Sequence, residues 1–150
     1  MECPGEDDLN RLFFYLPIKV KKVSSKLSSD FISDIPVKDY FFPILRAVYL
    51  NDGMSQKELT GVLPYDKSRI SVVVREMIEA GLITDSADGR STCLHLTEKG
   101  KEANAVGRMY AKLTMNTIFQ TFSEEELHSA MEFLLKLDAR LDEIIGEKDD

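Results

Sequence analysis

The sequence has few of the residues on which metal binding, cross-linking and catalysis depend. Only two of its 150 residues are cysteine and two are histidine. Cys3 and Cys93 lie far apart and neither belongs to a Cys-x-x-Cys pair, which argues against a zinc site and a disulfide framework. His95 and His128 are isolated, which favours structural or solvated roles. No glycine-rich phosphate loop or nucleophile with a partner base stands out, so we expect neither an enzyme nor a cofactor.

The sequence also lacks a long apolar run. No run approaches the roughly 18 residues that a membrane span requires. The N-terminal MECPGEDDLN is acidic and polar, whereas a secretory signal is basic and then apolar. With 43% hydrophobic and 30% charged residues, the composition is typical of a folded soluble protein. We therefore expect a cytoplasmic protein of one domain that does not contact membranes.

The net charge of −7 is unevenly distributed. Residues 1–53 carry seven basic and eight acidic groups, residues 54–92 carry five and six, and residues 93–150 carry seven and twelve. The acidic surplus is therefore C-terminal. A nearly neutral central segment neither supports nor excludes nucleic-acid binding, which depends on the side chains that face the phosphates.

Two helices are predicted before residue 53. The segment from Leu9 to Ser28 favours a helix, with Pro17 expected to kink or break it. The second helix can begin as late as Phe42, because Pro43 fits only a first turn. Its apolar residues recur at steps of three and four: Val37, Phe41, Ile44, Leu45 and Val48.

The next segment predicts two short helices joined by a tight turn. Ser55 and Glu58 form a capping box that opens SQKELTGVL. Asp66 caps a second helix that begins at Lys67 and ends near Gly81. We expect its inner face to consist of Ile70, Val73, Val74, Met77 and Ile78.

Two β-prone segments, LIT and CLHLT, follow and are separated by DSADGRS, whose Asp-Gly pair favours a hairpin. A long helix then runs from Thr97 to about Thr121. A second capping box, Ser123 with Glu126, opens a last helix that extends to Gly146. The pattern predicts a mainly α-helical fold with a small two-stranded β wing. In the last helix an a/d seam calls for a partner helix: Ala130, Leu134, Leu137, Leu141 and Ile144.

In this order the elements resemble the winged helix-turn-helix regulators of the MarR family. The resemblance rests on SQKEL at 55–59, DKSRIS at 66–71, EAGLI at 79–83, DGR at 88–90 and LTEKG at 96–100. It implies a homodimer that binds a pseudo-palindromic operator in double-stranded DNA, usually as a repressor. The helix from Lys67 would enter the major groove, and Arg90, which Asp88 could orient, would be the wing-tip arginine.

The resemblance assigns a single domain to residues 1–150. Dimerisation helices are expected at 9–35 and 101–146, flanking a DNA-binding lobe at 37–100. The outer face of a recognition helix should be polar, although any amphipathic surface helix also exposes such side chains. The expected DNA-contacting residues are Gln56, Lys67, Ser68, Arg69, Ser71, Arg75, Arg90 and Ser91.

Two departures from the family pattern reduce the expected phosphate contact. The wing between Gly81 and Asp88 is about three residues short, and Val72 stands where an arginine is common. Val72 could contact a thymine methyl group or pack against its neighbours, and packing is favoured. These departures leave open an alternative function, a winged-helix protein-interaction module without DNA binding.

Other residues fit a structural role better than a functional one. The family often holds a small aromatic or amphipathic effector in a cleft, but core packing explains the candidate aromatic residues more simply: Phe13, Phe14, Tyr40, Phe41, Phe42 and Tyr110. A solvated helix face is favoured for four lysines over a patch that assists DNA binding: Lys19, Lys21, Lys22 and Lys26. Redox sensing by Cys3 is disfavoured, and Cys93 is expected to be a small buried hydrophobe.

Overall fold

The structure, a computed structural model, describes residues 5–28, 37–86 and 93–146. Its helices are α1 (Glu6–Ser28), α2 (Phe42–Leu50), α3 (Gln56–Val62), α4 (Lys67–Glu79), α5 (Glu98–Phe119) and α6 (Glu124–Gly146). Strands β1 (Ile83–Asp85) and β2 (Leu94–Leu96) pair antiparallel, with Ile83 opposite Leu96. The predicted helical fold with a two-stranded wing is confirmed. The chain divides into two compact units, one up to Leu113 and the other from Thr114.

The predicted helix starts are confirmed in atomic detail. At α3, the Glu58 amide donates to Ser55 Oγ at 3.1 Å and the Ser55 amide donates to the Glu58 carboxylate at 2.7 Å. Ser123 and Glu126 form the same reciprocal pair at the start of α6. These bonds satisfy amide donors that the first turn of a helix otherwise leaves unpaired.

The core of the first unit lies between α2, α3, α4 and the two strands. Leu45, Val48, Leu59 and Met77 are fully buried there, and Leu94 of β2 closes it beside the wing. Ile44, Leu45 and Val48 of the predicted apolar face are buried on α2, whereas Val37 and Phe41 precede this helix. The late start predicted at Phe42 is confirmed, with Pro43 in the first turn of α2 after a 3-10 turn at Asp39–Phe41. This core fixes α4 with one face inward and the other toward solvent.

Two predictions about helices are corrected. Of the kink or break expected at Pro17, the break does not occur: Pro17 lies inside α1, because a proline removes only one hydrogen bond from a helix that is 23 residues long. Ile78 is 39% exposed rather than inward. It lies at the edge of the α4 apolar face, where a step of one residue from Met77 turns the side chain by about 100°.

The start of α5 is tied to the backbone that follows α4. Gly81, at φ +72°, ends the turn after α4. The Thr97 hydroxyl donates to the Gly81 carbonyl at 2.7 Å, and the Thr97 amide donates to the Leu82 carbonyl at 3.1 Å. Lys99 Nζ donates to the Ala80 carbonyl at 2.9 Å. The Leu-Thr-x-x-Gly segment is therefore a junction that holds α5 against the end of α4.

Within the described residues, no helix combines the length and the apolar character that crossing a membrane requires. The predicted boundaries at 9–35, 37–100 and 101–146 remain predictions.

Candidate nucleic-acid interface

The outer face of α4 carries most of the residues predicted to contact DNA. Lys67, Ser68, Arg69 and Arg75 are exposed, and Ser71 is half-buried at the edge of the face. On the opposite side, four residues fill the core: Ile70, Val73, Val74 and Met77. The cationic side chains therefore project away from the lobe. Gln56, predicted with them, is half-buried at the start of α3.

The first turn of α4 is organised by Asp66. One carboxylate oxygen of Asp66 accepts from the Arg69 amide at 2.8 Å and from the Ser68 hydroxyl at 2.6 Å. The bond from Ser68, and then that from the Arg69 amide, lower the pKa of Asp66. The carboxylate is thereby held in its charged form as the helix cap. The Ser68 hydroxyl is engaged in this cap, which orients it along the first turn.

Arg69 stacks on an aromatic ring. Its guanidinium carbon lies 4.8 Å from the centroid of the Tyr65 ring, within the range of a cation–π contact. Tyr65 is half-buried and packs against the lobe core, so the ring on which Arg69 stacks is itself held in place. The stack restricts the rotamers of Arg69 and leaves its planar fork of donors on the outer face of α4.

A second set of contacts ties α4 to the segment before α2. The Glu76 carboxylate accepts from Lys38 Nζ at 2.9 Å and from the Tyr40 hydroxyl at 2.7 Å. Lys38 Nζ also lies 5.4 Å from the centroid of the Tyr40 ring. Hydrogen bonding from Lys38, and then from Tyr40, lowers the pKa of Glu76. These contacts join residues 38 and 36 positions apart and fix the C-terminal half of α4.

We expect the contribution of Glu76 to stability to depend on pH. Because the pKa of Glu76 lies below its usual 4.5 in the folded chain, its stabilisation is present above about pH 4.5 and is lost as the pH falls through the folded value. Glu76→Gln should therefore lower the thermal midpoint relative to wild type at about pH 7, and the gap should narrow by about pH 3. Thermal unfolding of the variant and of wild type at both pH values measures this difference between their midpoints.

The matched control for this measurement is Glu79→Gln, a nearby carboxylate on the exposed side of α4. Among the described residues Glu79 forms no ion pair, so this variant should follow wild type at both pH values. A gap for Glu76→Gln that stays as wide in acid as at neutral pH would show that the Lys38 and Tyr40 contacts do not stabilise α4 through the charge.

The base of the wing is fixed by His95. Its Nδ1 lies 2.9 Å from Asp52 Oδ1 and its Nε2 lies 3.1 Å from Ser86 Oγ. The ring therefore connects β2 to the turn after α2 and to the end of β1, which agrees with the predicted structural role. The Leu94 amide also donates to the Met54 carbonyl at 2.9 Å. Arg90 and Ser91 of the predicted site lie outside the described residues.

Comparison with known proteins agrees with this geometry. Residues 42–91, which run from α2 into the wing, match the model of the MarR family. Over these residues, which make up about a third of the chain, the sequence is similar to the MarR family. The resemblance drawn from the five sequence segments is thereby confirmed.

Whole MarR structures share the fold of the chain. A MarR protein from Peptoclostridium difficile superposes with a TM-score of 0.75 at 18% identity, covering 95% of this chain and 93% of that one. CouR from Rhodococcus jostii RHA1, bound to p-coumaroyl-CoA, gives a TM-score of 0.70 at 17% identity over 87% and 91% of the two chains. At these identities the likeness establishes the fold alone.

A curated relative is similar over a shorter stretch. A putative transcriptional regulatory protein for the hcr operon of Thauera aromatica is 37% identical over 67 residues. The match spans 43% of this chain and 40% of that protein.

The burial of individual side chains in the structure corrects several expectations from the sequence. Val72 is 53% exposed, so the expectation that it packs against its neighbours is wrong for this chain. Phe13 and Phe14 of α1 are exposed, whereas Phe41 is in the core. Cys93 is half-buried rather than buried. The four lysines of α1 are exposed, as expected for a solvated helix face.

Sequence reasoning missed the residues that support α4. Tyr65 precedes Asp66, the N-cap of α4, so the spacing rule for neighbours on one helix does not apply to its contact with Arg69. No local sequence pattern predicts the contact of Glu76 with Lys38 and Tyr40, because this contact depends on the tertiary fold.

Proposed function

We propose that the chain is a sequence-specific regulator of transcription that binds double-stranded DNA as a homodimer at a pseudo-palindromic operator. The observation that carries the proposal is the outer face of α4, where Lys67, Arg69 and Arg75 are exposed opposite a face buried in the lobe. A helix of this kind fits the major groove, with its first residues at base edges and its cations near phosphates. Occupation of an operator by such a dimer would repress transcription by blocking polymerase. This function is consistent with the cytoplasmic location that the sequence predicts.

The dimer is supported by the apolar surface of α6. This helix has no buried residue, although Leu134, Leu141 and Ile144 follow the spacing of a seam. A 23-residue helix with such a stripe gains its stability from a partner surface. A second copy supplies one, and it also supplies the second lobe that a two-fold operator requires.

Regulation by a small aromatic or amphipathic effector is a further part of the proposal. CouR shares the fold and was solved with p-coumaroyl-CoA. An effector would act here only if it bound the DNA-competent and DNA-incompetent states with different affinities.

We expect Arg69→Ala, Arg75→Ala and Arg90→Ala each to weaken operator binding without changing the dimer. Each arginine contact contributes about 1–3 kcal/mol, so loss of one contact in each of the two half-sites should raise the dissociation constant by at least about thirtyfold. Each lost phosphate contact should also reduce the slope of log affinity against log salt concentration by about 0.9. The measurement is a duplex titration at several salt concentrations, on a site selected from a random pool.

Arg108→Ala is the matched control, because Arg108 is an exposed arginine on α5 outside the proposed interface.

Recovery of a palindrome from the pool would support both the dimer and the target. One other function, a protein-interaction module without DNA binding, is consistent with the nearly neutral charge of residues 54–92 and with the apolar Val72 on the outer face of α4. Failure of the pool to enrich any duplex, with salt-independent weak binding, would favour that module and overturn the proposal.

A further inference from the structure

A concavity on the outer face of α4 is lined by apolar side chains and flanked by a cation. Its volume is about 360 Å³, and it is lined by Tyr40, Ser68, Arg69, Val72 and Val73. Val73 is buried beneath it, whereas Val72 is 53% exposed. Ser68, Val72 and Arg75 follow one another at steps of four and three, so they share the side of the helix opposite the core. Val72 is therefore at the centre of the face that the proposed function directs toward DNA.

The walls of the concavity are held in place by contacts within the lobe. Tyr40 is fixed on one side by the hydrogen bond from its hydroxyl to Glu76, at 2.7 Å. Arg69 is fixed on another side by its stack on Tyr65. Because both walls are anchored, the concavity is formed before any ligand binds. Its occupant must therefore match a small apolar surface beside a fixed guanidinium.

The chemistry of the major groove selects one occupant. Valine has no hydrogen-bonding group, so a donor or acceptor of a base pressed against it would lose its water without gaining a partner. Among the four bases, thymine alone presents a methyl group in the major groove. The positive charge of the neighbouring arginines attracts the phosphates of a DNA backbone. The same charge would repel a protein partner whose apolar surface is flanked by cations.

We propose that Val72 contacts the 5-methyl group of a thymine in each half-site and is a specificity-determining residue. This inference rests on the proposed function, because it requires α4 to enter the major groove. Removal of a methyl group from this contact should weaken binding by about fourfold in one half-site and by about fifteenfold in both. The effect should disappear when the side chain of Val72 is shortened.

The test uses the full chain and the palindrome recovered from a random duplex pool. Each symmetric pair of thymines is replaced by deoxyuridine, which removes only the 5-methyl groups. We expect one pair in the α4 segment of the half-site to weaken wild-type binding by about fifteenfold and to leave the affinity of Val72→Ala nearly unchanged. Val62→Ala, an exposed valine on α3, should respond to deoxyuridine as wild type does.

The failures of the two proposals are distinguishable. If no duplex is enriched, the proposed function and this inference both fall. If a palindrome is recovered and no deoxyuridine pair weakens wild-type binding, or the weakening is as large in Val72→Ala, the inference alone is overturned. A palindrome without thymine in the α4 segment has the same consequence. Thermal unfolding of Val72→Ala should match wild type, because the side chain is exposed.

Discussion

Gly100→Ala should lower the thermal midpoint of the chain by about 10 °C, which corresponds to a loss of about 3 kcal/mol for a chain of this size. A methyl group at residue 100 would overlap the carbonyl oxygen of Leu82 and lie 3.0 Å from its carbonyl carbon. The obstacle is backbone and not the end of a flexible side chain. The Leu82 carbonyl also accepts from the Thr97 amide, so it cannot move away without breaking the junction.

The matched control is Gly61→Ala. Gly61 lies in α3, and a methyl group there would meet no atom within 4 Å. Alanine is the better helix former, so this variant should equal wild type or gain about 0.5 to 1 kcal/mol. Thermal unfolding of both variants beside wild type measures the difference. Equal midpoints for the two alanine variants would show that the close approach at Gly100 is not required.

Local signals predict this fold well because they depend on neighbouring residues. The capping pair at Ser55 is a contact over three positions, and it appears in the structure with the predicted donors and acceptors. The Gly81 turn and the α2 start at Phe42 were also predicted from local chemistry. Pro17 shows the limit, since a helix can continue through a proline when the hydrogen bonds on either side persist.

The candidate site was only partly predictable for the same reason. Periodicity identified the outer face of α4, because a helix repeats every 3.6 residues. It could not identify what holds that face in place. His95 meets Asp52 across 43 positions of sequence, and Glu76 meets Lys38 across 38. These contacts are consequences of how α2, α4 and the wing pack together, so a local sequence pattern does not predict them.

The apolar surface of α6 leads to the second large effect. Leu134 and Leu141 are 54% and 44% exposed, and they follow the a/d spacing with Leu137 between them. Burial of a leucine side chain contributes about 1.5 to 3 kcal/mol, and a two-fold interface counts every contact twice. If this stripe stayed exposed to water, the chain would not gain the free energy of burying these leucine side chains. We therefore expect a second copy of the chain to cover it.

Leu134→Asp combined with Leu141→Asp should therefore raise the dissociation constant of the dimer by more than about a hundredfold, because four buried carboxylates would face one another across the interface. Sedimentation over a range of concentrations measures this. Ala139→Asp is the matched control, since Ala139 is exposed on the opposite side of α6 and gains the same charge. The double variant should also lose the dependence of its thermal midpoint on concentration. A double variant that sediments as wild type does would mean that the stripe is not the contact between copies, and the two lobes would then have to be brought to a two-fold operator by another surface.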